Sequence, residues 1–292
     1  MKRTEYQNIA VIQDFLTFLV KACTDNGFSH KWTSFDTKST GIKKGQIWRC
    51  HSILDAADKY YWPASAGTDK AKVYSLAETT LLLDNLSAQL QQAIQVSDTE
   101  LTKEICNSIL YWGGVSRYPN VARDLRQVNF PIVDYLKAVL SELASEELDS
   151  ENLCLANGYI FKLDSGLTKI YALLYKRFVI FDSRVGCALA LLARQFWSSY
   201  GNELSTLPKE LRYLWSGDQI RRNPNLAGKI IFPKFAKNKS AIRIQQNIEV
   251  SWLIWALAER LLDEQFVSGM STEQLSRQIE AGLFMIGYGV NT

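Results

Sequence analysis

The chain has 292 residues, 47% of them hydrophobic, and a formal net charge of only +3. That length and apolar content suffice to bury a sizeable core, as one compact domain or two closely joined ones. No run reaches the roughly 18 uncharged apolar residues a membrane span needs, and the opening Met1-Lys2-Arg3-Thr4-Glu5 leads into an amphipathic pattern without a small-residue cleavage site, so a cytoplasmic chain with no membrane partner is expected.

The five cysteines are scattered and contain no CxxC pair, which supports neither a disulfide framework nor a zinc or iron–sulfur centre. His30 and His51 are the only histidines, too few for a histidine-based triad or metal centre. No metal or cofactor is expected, and any catalysis falls to carboxylate, amine or tyrosine.

Periodicity predicts a mainly α fold. Val11, Phe15, Phe18 and Leu19 give the first helix one apolar face. Residues 27–51 break the pattern, with Trp32, Phe35, Ile42, Ile47 and Trp48 among Lys, Ser, Thr and Gly, and suit a short hairpin or an ordered arm. Residues 1–74 thus read as a helix plus an extended arm, packed on a helical core over 75–292. Ser75 to Glu78, Ser97 to Glu100 and Ser271 to Gln274 each fit the capping box, in which N-cap and N3 side chains satisfy each other's orphan amides. Helices are predicted near 75–94, 98–111, 131–147, 168–176, 183–199, 240–265 and 272–286.

Charge is segregated along the chain. Glu142, Glu146, Glu147, Asp149 and Glu151 form an acidic stretch. Residues 219–248 contain no Asp or Glu but carry Arg221, Arg222, Lys229, Lys234, Lys237, Lys239 and Arg243, a local field suited to phosphate. The loop 216–240 is the longest irregular piece, and such loops often carry function.

The segment 163–192 combines a polar Gly-containing turn, Thr168-Lys169, the apolar run Phe178-Val179-Ile180-Phe181 and then Asp182 at a helix start. A turn at Asp164, Ser165 and Gly166 can present backbone amides to a phosphate, aided by the partial positive charge of the following helix. Asp182 reads either as a plain N-cap, with Val185, Leu189, Leu192 and Phe196 forming a buried face behind it, or as a carboxylate facing a cleft. Lys169 reads either as a solvated helix lysine or as a cleft amine.

Together, Ser165-Gly166-Leu167-Thr168-Lys169-Ile170 and Phe178-Val179-Ile180-Phe181-Asp182-Ser183-Arg184-Val185 resemble the hairpin and aspartate segments of the helix-hairpin-helix superfamily of DNA glycosylases, more particularly the bacterial 8-oxoguanine DNA glycosylase-like proteins. Two departures stand out: one glycine where the family pattern has two, and only 13 positions from Lys169 to Asp182. The resemblance implies a helix-hairpin-helix near 155–180 and a monomer acting on double-stranded DNA. A base would be flipped into a pocket and its N-glycosidic bond broken to leave an abasic site.

In that scheme Asp182 is catalytic and stabilises charge on the sugar, and Lys169 is a candidate nucleophile that would add strand-cleaving lyase activity. Ser165, Gly166, Thr168, Arg184, Arg221, Arg222, Lys234 and Lys237 are expected to contact DNA phosphates. Tyr111 and Trp112, beside Gly113-Gly114, are expected in the base pocket, although core packing explains that pair equally well. Trp252 and Trp255 fall on one helical face and read as packing. The implied substrate is an oxidised purine, with a modified base of phage type in a defence role as the alternative. Two rival classes are a non-catalytic DNA-binding protein with the same hairpin and a helical scaffold using Trp252 and the acidic stretch as partner surface.

Overall fold

Helix starts and stops are written in local chemistry, and most are realised where the pattern puts them. The structure is a computed structural model that describes residues 1–24, 27–68, 70–147, 149, 152–199, 206–216, 219–227, 230–235 and 240–291. In chain order its regular elements begin with α1 Arg3–Gln7, α2 Ala10–Cys23, β1 His30–Thr33, α3 Thr37–Thr40, β2 Ile47–Cys50 and α4 Ile53–Asp58. They continue with α5 Leu76–Gln95, α6 Thr99–Trp112, α7 Ile132–Ala144, α8 Leu167–Leu174, α9 Ser183–Ser199, α10 Ser240–Asp263 and α11 Thr272–Ile286. The fold is mainly helical, with a single two-stranded sheet among the described residues.

The capping boxes at Ser75 and Ser271 form as predicted, each with the N3 side chain reaching back to the cap amide. The one predicted at Ser97 does not. Ser97 adopts a left-handed φ of 57° that closes α5, and Asp98 takes over as N-cap of α6 by accepting from the Leu101 amide at 2.9 Å. A short carboxylate immediately before a helix outcompetes the hydroxyl one residue further out, because its oxygen reaches the free amides without a change of backbone direction.

The predicted hairpin is β1 and β2, paired antiparallel with His30 opposite Cys50 and Trp32 opposite Trp48. The two indoles stack at 5.1 Å. The Trp32 indole donates to the Met285 carbonyl at 3.1 Å, and His30 Nε2 sits 2.7 Å from the Gly289 carbonyl. The arm is therefore pinned to the C-terminal end of α11.

One continuous apolar core runs from Tyr6 to Val290 and draws on both the arm and the helices. Packing divides the helices into two groups. In one, α5 lies against α6, α7 and α8; in the other, α10 and α11 pack together, with α2 on α10 and with α4 and α9 on α11. The strap from α8 to α9 joins the groups, and a cleft opens between them.

Candidate active site

The apolar run Phe178 to Phe181 is buried yet belongs to no sheet, so its backbone must find partners among side chains. It does so from three helices. The Val179 amide donates to Ser251 Oγ at 3.1 Å, Ile180 to Glu280 Oε2 at 2.9 Å and Phe181 to Thr168 Oγ1 at 3.1 Å, while Asn247 Nδ2 donates to the Val179 carbonyl at 2.9 Å. Thr168 in turn donates to Asn247 Oδ1 at 2.7 Å. This buried polar network from α8, α10 and α11 fixes where the strap ends, and so where Asp182 stands.

Asp182 is the N-cap of α9. Its Oδ1 accepts from the Arg184 amide at 2.8 Å and the Val185 amide at 3.2 Å. Both readings of Asp182 are thus geometrically compatible, because the carboxylate also lines a cavity of about 1260 Å³ between the two helical groups. That volume exceeds the roughly 300–1,000 Å³ of ordinary small-molecule pockets. Aromatic rings line part of it, Tyr60, Trp62, Trp112, Phe181, Phe235 and Phe284 among them, beside a larger set of charged side chains.

Lys169 faces the same cavity and is only 6% exposed. Its Nζ donates to the carbonyl of Ser165, in the turn before α8, at 2.7 Å. Burial lowers its pKa below the usual lysine value; the negative charge of Asp182 opposes that shift and the positive charge of Arg184 adds to it. The solvated-lysine reading therefore does not describe this side chain.

Gly113 makes room for it. A Cβ at that position would stand 2.3 Å from Lys169 Cδ and 2.7 Å from Cε. Gly113→Ala is expected to displace the lysine stem and cost about 1–3 kcal/mol by overpacking. Denaturant melts check this: a variant as stable as wild type, with unaltered Lys169 reactivity, would show that the stem is not held there.

Arginines also line the cavity. The Arg184 guanidinium lies 4.2 Å from the Tyr288 ring centroid, 4.3 Å from Phe284 and 5.0 Å from Trp62. Arg222 sits beside it, 5.9 Å from the Tyr288 centroid. Burial, then the neighbouring charges of Arg184 and Arg221, push the Arg222 pKa down to about 10. Glu280 on α11 is held by the Ile180 amide and by Arg277 Nη1, both on Oε2 at 2.9 Å. Burial nevertheless raises its carboxyl pKa, against the stabilising charge of Arg277.

Several predicted contacts lie elsewhere. Gly166 and Thr168 are buried, and the amides expected to dock a phosphate are already taken: Asp164 Oδ1 accepts from Gly166 at 2.8 Å and Leu167 at 2.9 Å, and the Asp164 carbonyl accepts from Thr168 at 3.1 Å. The turn is self-capped, which leaves neither Gly166 nor Thr168 a free group for DNA. A helix follows this turn but none leads directly into it, since residues 153–161 form a narrow bridged hairpin. Ser165 is exposed and lines the cavity.

Of the base-pocket pair, Trp112 lines the cavity, whereas Tyr111 points outward and is not part of its wall. Arg184, Arg222 and Arg243 line the cavity; Arg221 lies outside it, stacked at 3.3 Å on Phe35, and Lys234 is outside it over Trp215 at 4.8 Å. Lys229, Lys237 and Lys239 lie outside the described residues. Trp252 is buried against Tyr6, and Trp255 donates to Glu259 Oε1 at 2.8 Å, so both pack as expected. Trp252 therefore offers no exposed surface to a partner, and Glu146 and Glu147 of the acidic stretch pair internally with Arg3, Arg177 and Lys2.

Trp62, Glu280, Arg277 and Phe284 were not singled out from the sequence. The run Tyr60-Tyr61-Trp62-Pro63 was visible as an aromatic cluster, and Arg277 and Glu280 as an i,i+3 pair, but nothing in their spacing points to a shared cavity. Among the described residues no group of three or more His, Cys, Asp or Glu side chains is placed to hold a metal ion. No helix among them is long and apolar enough to cross a membrane.

No protein-family model matches the chain, and neither the curated proteins nor the solved structures yield a match.

Proposed function

We propose that the chain is a DNA glycosylase that takes an extruded base into the cavity and breaks its N-glycosidic bond. The observation that carries this is one cavity holding a desolvated lysine and a helix-capping aspartate, lined in part by aromatic rings. Aromatic walls supply the stacking that replaces base stacking in the duplex. Asp182 stabilises the positive charge that develops on the sugar as the base leaves. Lys169, with its amine pushed toward the neutral form, is the nucleophile that attacks C1′, and the base departs with the electrons of the broken bond.

In the same scheme the partner is double-stranded DNA engaged by a monomer, with an oxidised purine or a phage-type modified base as substrate, although the segment before the turn is a bridged hairpin and not the first helix of a helix-hairpin-helix. Backbone phosphates are met by Ser165 and the arginines of the cavity wall rather than by the turn amides.

Incubation of the purified chain with duplexes carrying oxidised, mismatched and naturally modified bases, with free bases read by mass spectrometry, tests the proposal. Release of one base class, leaving an alkali-labile site, is expected. No release from the whole panel, together with retained salt-dependent DNA affinity, would instead favour a non-catalytic DNA-binding protein.

A further inference from the structure

We propose that Arg184 and Arg222 form an oxyanion subsite within the cavity, built to take the phosphate group of a nucleotide. The two guanidiniums are neighbours over one ring, that of Tyr288, at 4.2 and 5.9 Å from its centroid. Neither forms an ion pair with a described residue, and both line the cavity. Arg184 Nη1 and Arg222 Nε are buried and have no acceptor among the described residues.

Stacking explains how donors are left over. The rings of Trp62, Phe284 and Tyr288 surround the Arg184 guanidinium at 4.2–5.0 Å and, with a side-chain hydrogen bond to Tyr288, hold it while Nη1 stays unpaired. Nη1 is then left for an acceptor in the guanidinium plane. The surrounding charges point the same way. Arg221 adds a third positive charge close to Arg222, and the carboxylate whose field reaches Arg222 is Asp182, whose Oδ1 is committed to the Arg184 and Val185 amides. Arg184 and Arg222, with Arg221 just outside the cavity, outnumber the two carboxylates near them: Asp182 is engaged by the Arg184 and Val185 amides and Glu280 by Arg277 and the Ile180 amide. A tetrahedral oxyanion accepts from two neighbouring guanidiniums and relieves their repulsion.

The subsite does not require that the chain break a glycosidic bond. Its placement of the phosphate beside an extruded base does rest on the glycosylase proposal. A phosphate of free mononucleotide and a phosphodiester of DNA share this chemistry, so the test separates them.

The first arm compares melting of the full chain in sodium phosphate and in sodium chloride at equal ionic strength. An anion bound only by the folded chain raises the midpoint, so wild type is expected to melt several degrees higher in phosphate. Arg222→Gln should abolish the difference, and Arg222→Lys, which keeps the charge but loses the fork, should retain part of it. The same comparison with Arg184→Gln is confined to variant protein that still melts cooperatively. Equal midpoints for wild type in the two salts, or an undiminished phosphate shift in Arg222→Gln, overturns the subsite.

The second arm assigns its source. Competition by thymidine 5′-monophosphate but not thymidine marks a free nucleotide as sufficient, whereas several-fold weaker binding of a duplex carrying one methylphosphonate, seen in wild type and absent in Arg222→Gln, marks a DNA phosphodiester. Base release by a protein indifferent to phosphate would remove the subsite and leave the glycosylase proposal standing; phosphate binding without base release would do the reverse.

Discussion

Asp182→Asn is expected to leave the fold intact and to slow base release by about 10²–10³-fold, the loss typical of removing one electrostatic group that acts on transition-state charge. The two consequences separate because Asp182 has two jobs. As N-cap of α9 it accepts from the amides of Arg184 and Val185, and Asn does this about as well as Asp. The residual cost is the lost interaction of a carboxylate with the helix dipole, about 0.3–1 kcal/mol. As the carboxylate beside Lys169 it supplies the negative charge, and Asn supplies none. Single-turnover release measured alongside thermal melts distinguishes the roles. Release at the wild-type rate would reduce Asp182 to a cap and end the catalytic assignment.

Much of the scaffold for this was legible from residue patterns, and the reason lies in how local the signals are. Caps at Ser75 and Ser271, the apolar face beginning at Val185, and the aromatic, β-branched arm around Trp32 and Trp48 are each decided within a few residues. The failure at Ser97 is equally local: two good caps stood side by side and the nearer carboxylate won.

The cavity is a different kind of object. Its wall draws Trp62 from the segment before α5, Trp112 from the end of α6, Lys169 from α8 and Glu280 from α11, and no spacing rule connects these positions. Asp182 could be placed because a buried strap ending in a carboxylate at a helix start is a short-range pattern. That the strap is held by Thr168, Asn247, Ser251 and Glu280 could not, since those partners come from three helices. The turn at Asp164 misled for the converse reason. Glycine and polar residues mark a turn with free amides as readily as one that caps itself, and only the position of the Asp164 carboxylate decides between them.

Lys169→Met is expected to abolish borohydride trapping of the chain on substrate DNA while making the protein more stable at neutral pH. Methionine fills a similar volume beside Gly113 without a charge to desolvate, whereas the lysine must place an amine in a site that is 6% exposed. The folded-state pKa of Lys169 lies below its unfolded value of 10.5, so between the two the unfolded chain binds the extra proton. Wild-type stability therefore rises with pH across that window and is lost as pH falls toward the folded-state pKa. The advantage of Lys169→Met should accordingly be largest at low pH and narrow as pH approaches 10.5. Trapping should follow the same titration in wild type, growing with pH as the neutral amine becomes available to attack C1′. Melts of the two proteins from pH 6 to 10 measure the first trend and adduct yield on gels measures the second. A wild-type curve parallel to that of Lys169→Met, or an adduct that survives the substitution, would mean that this amine is neither desolvated nor the nucleophile.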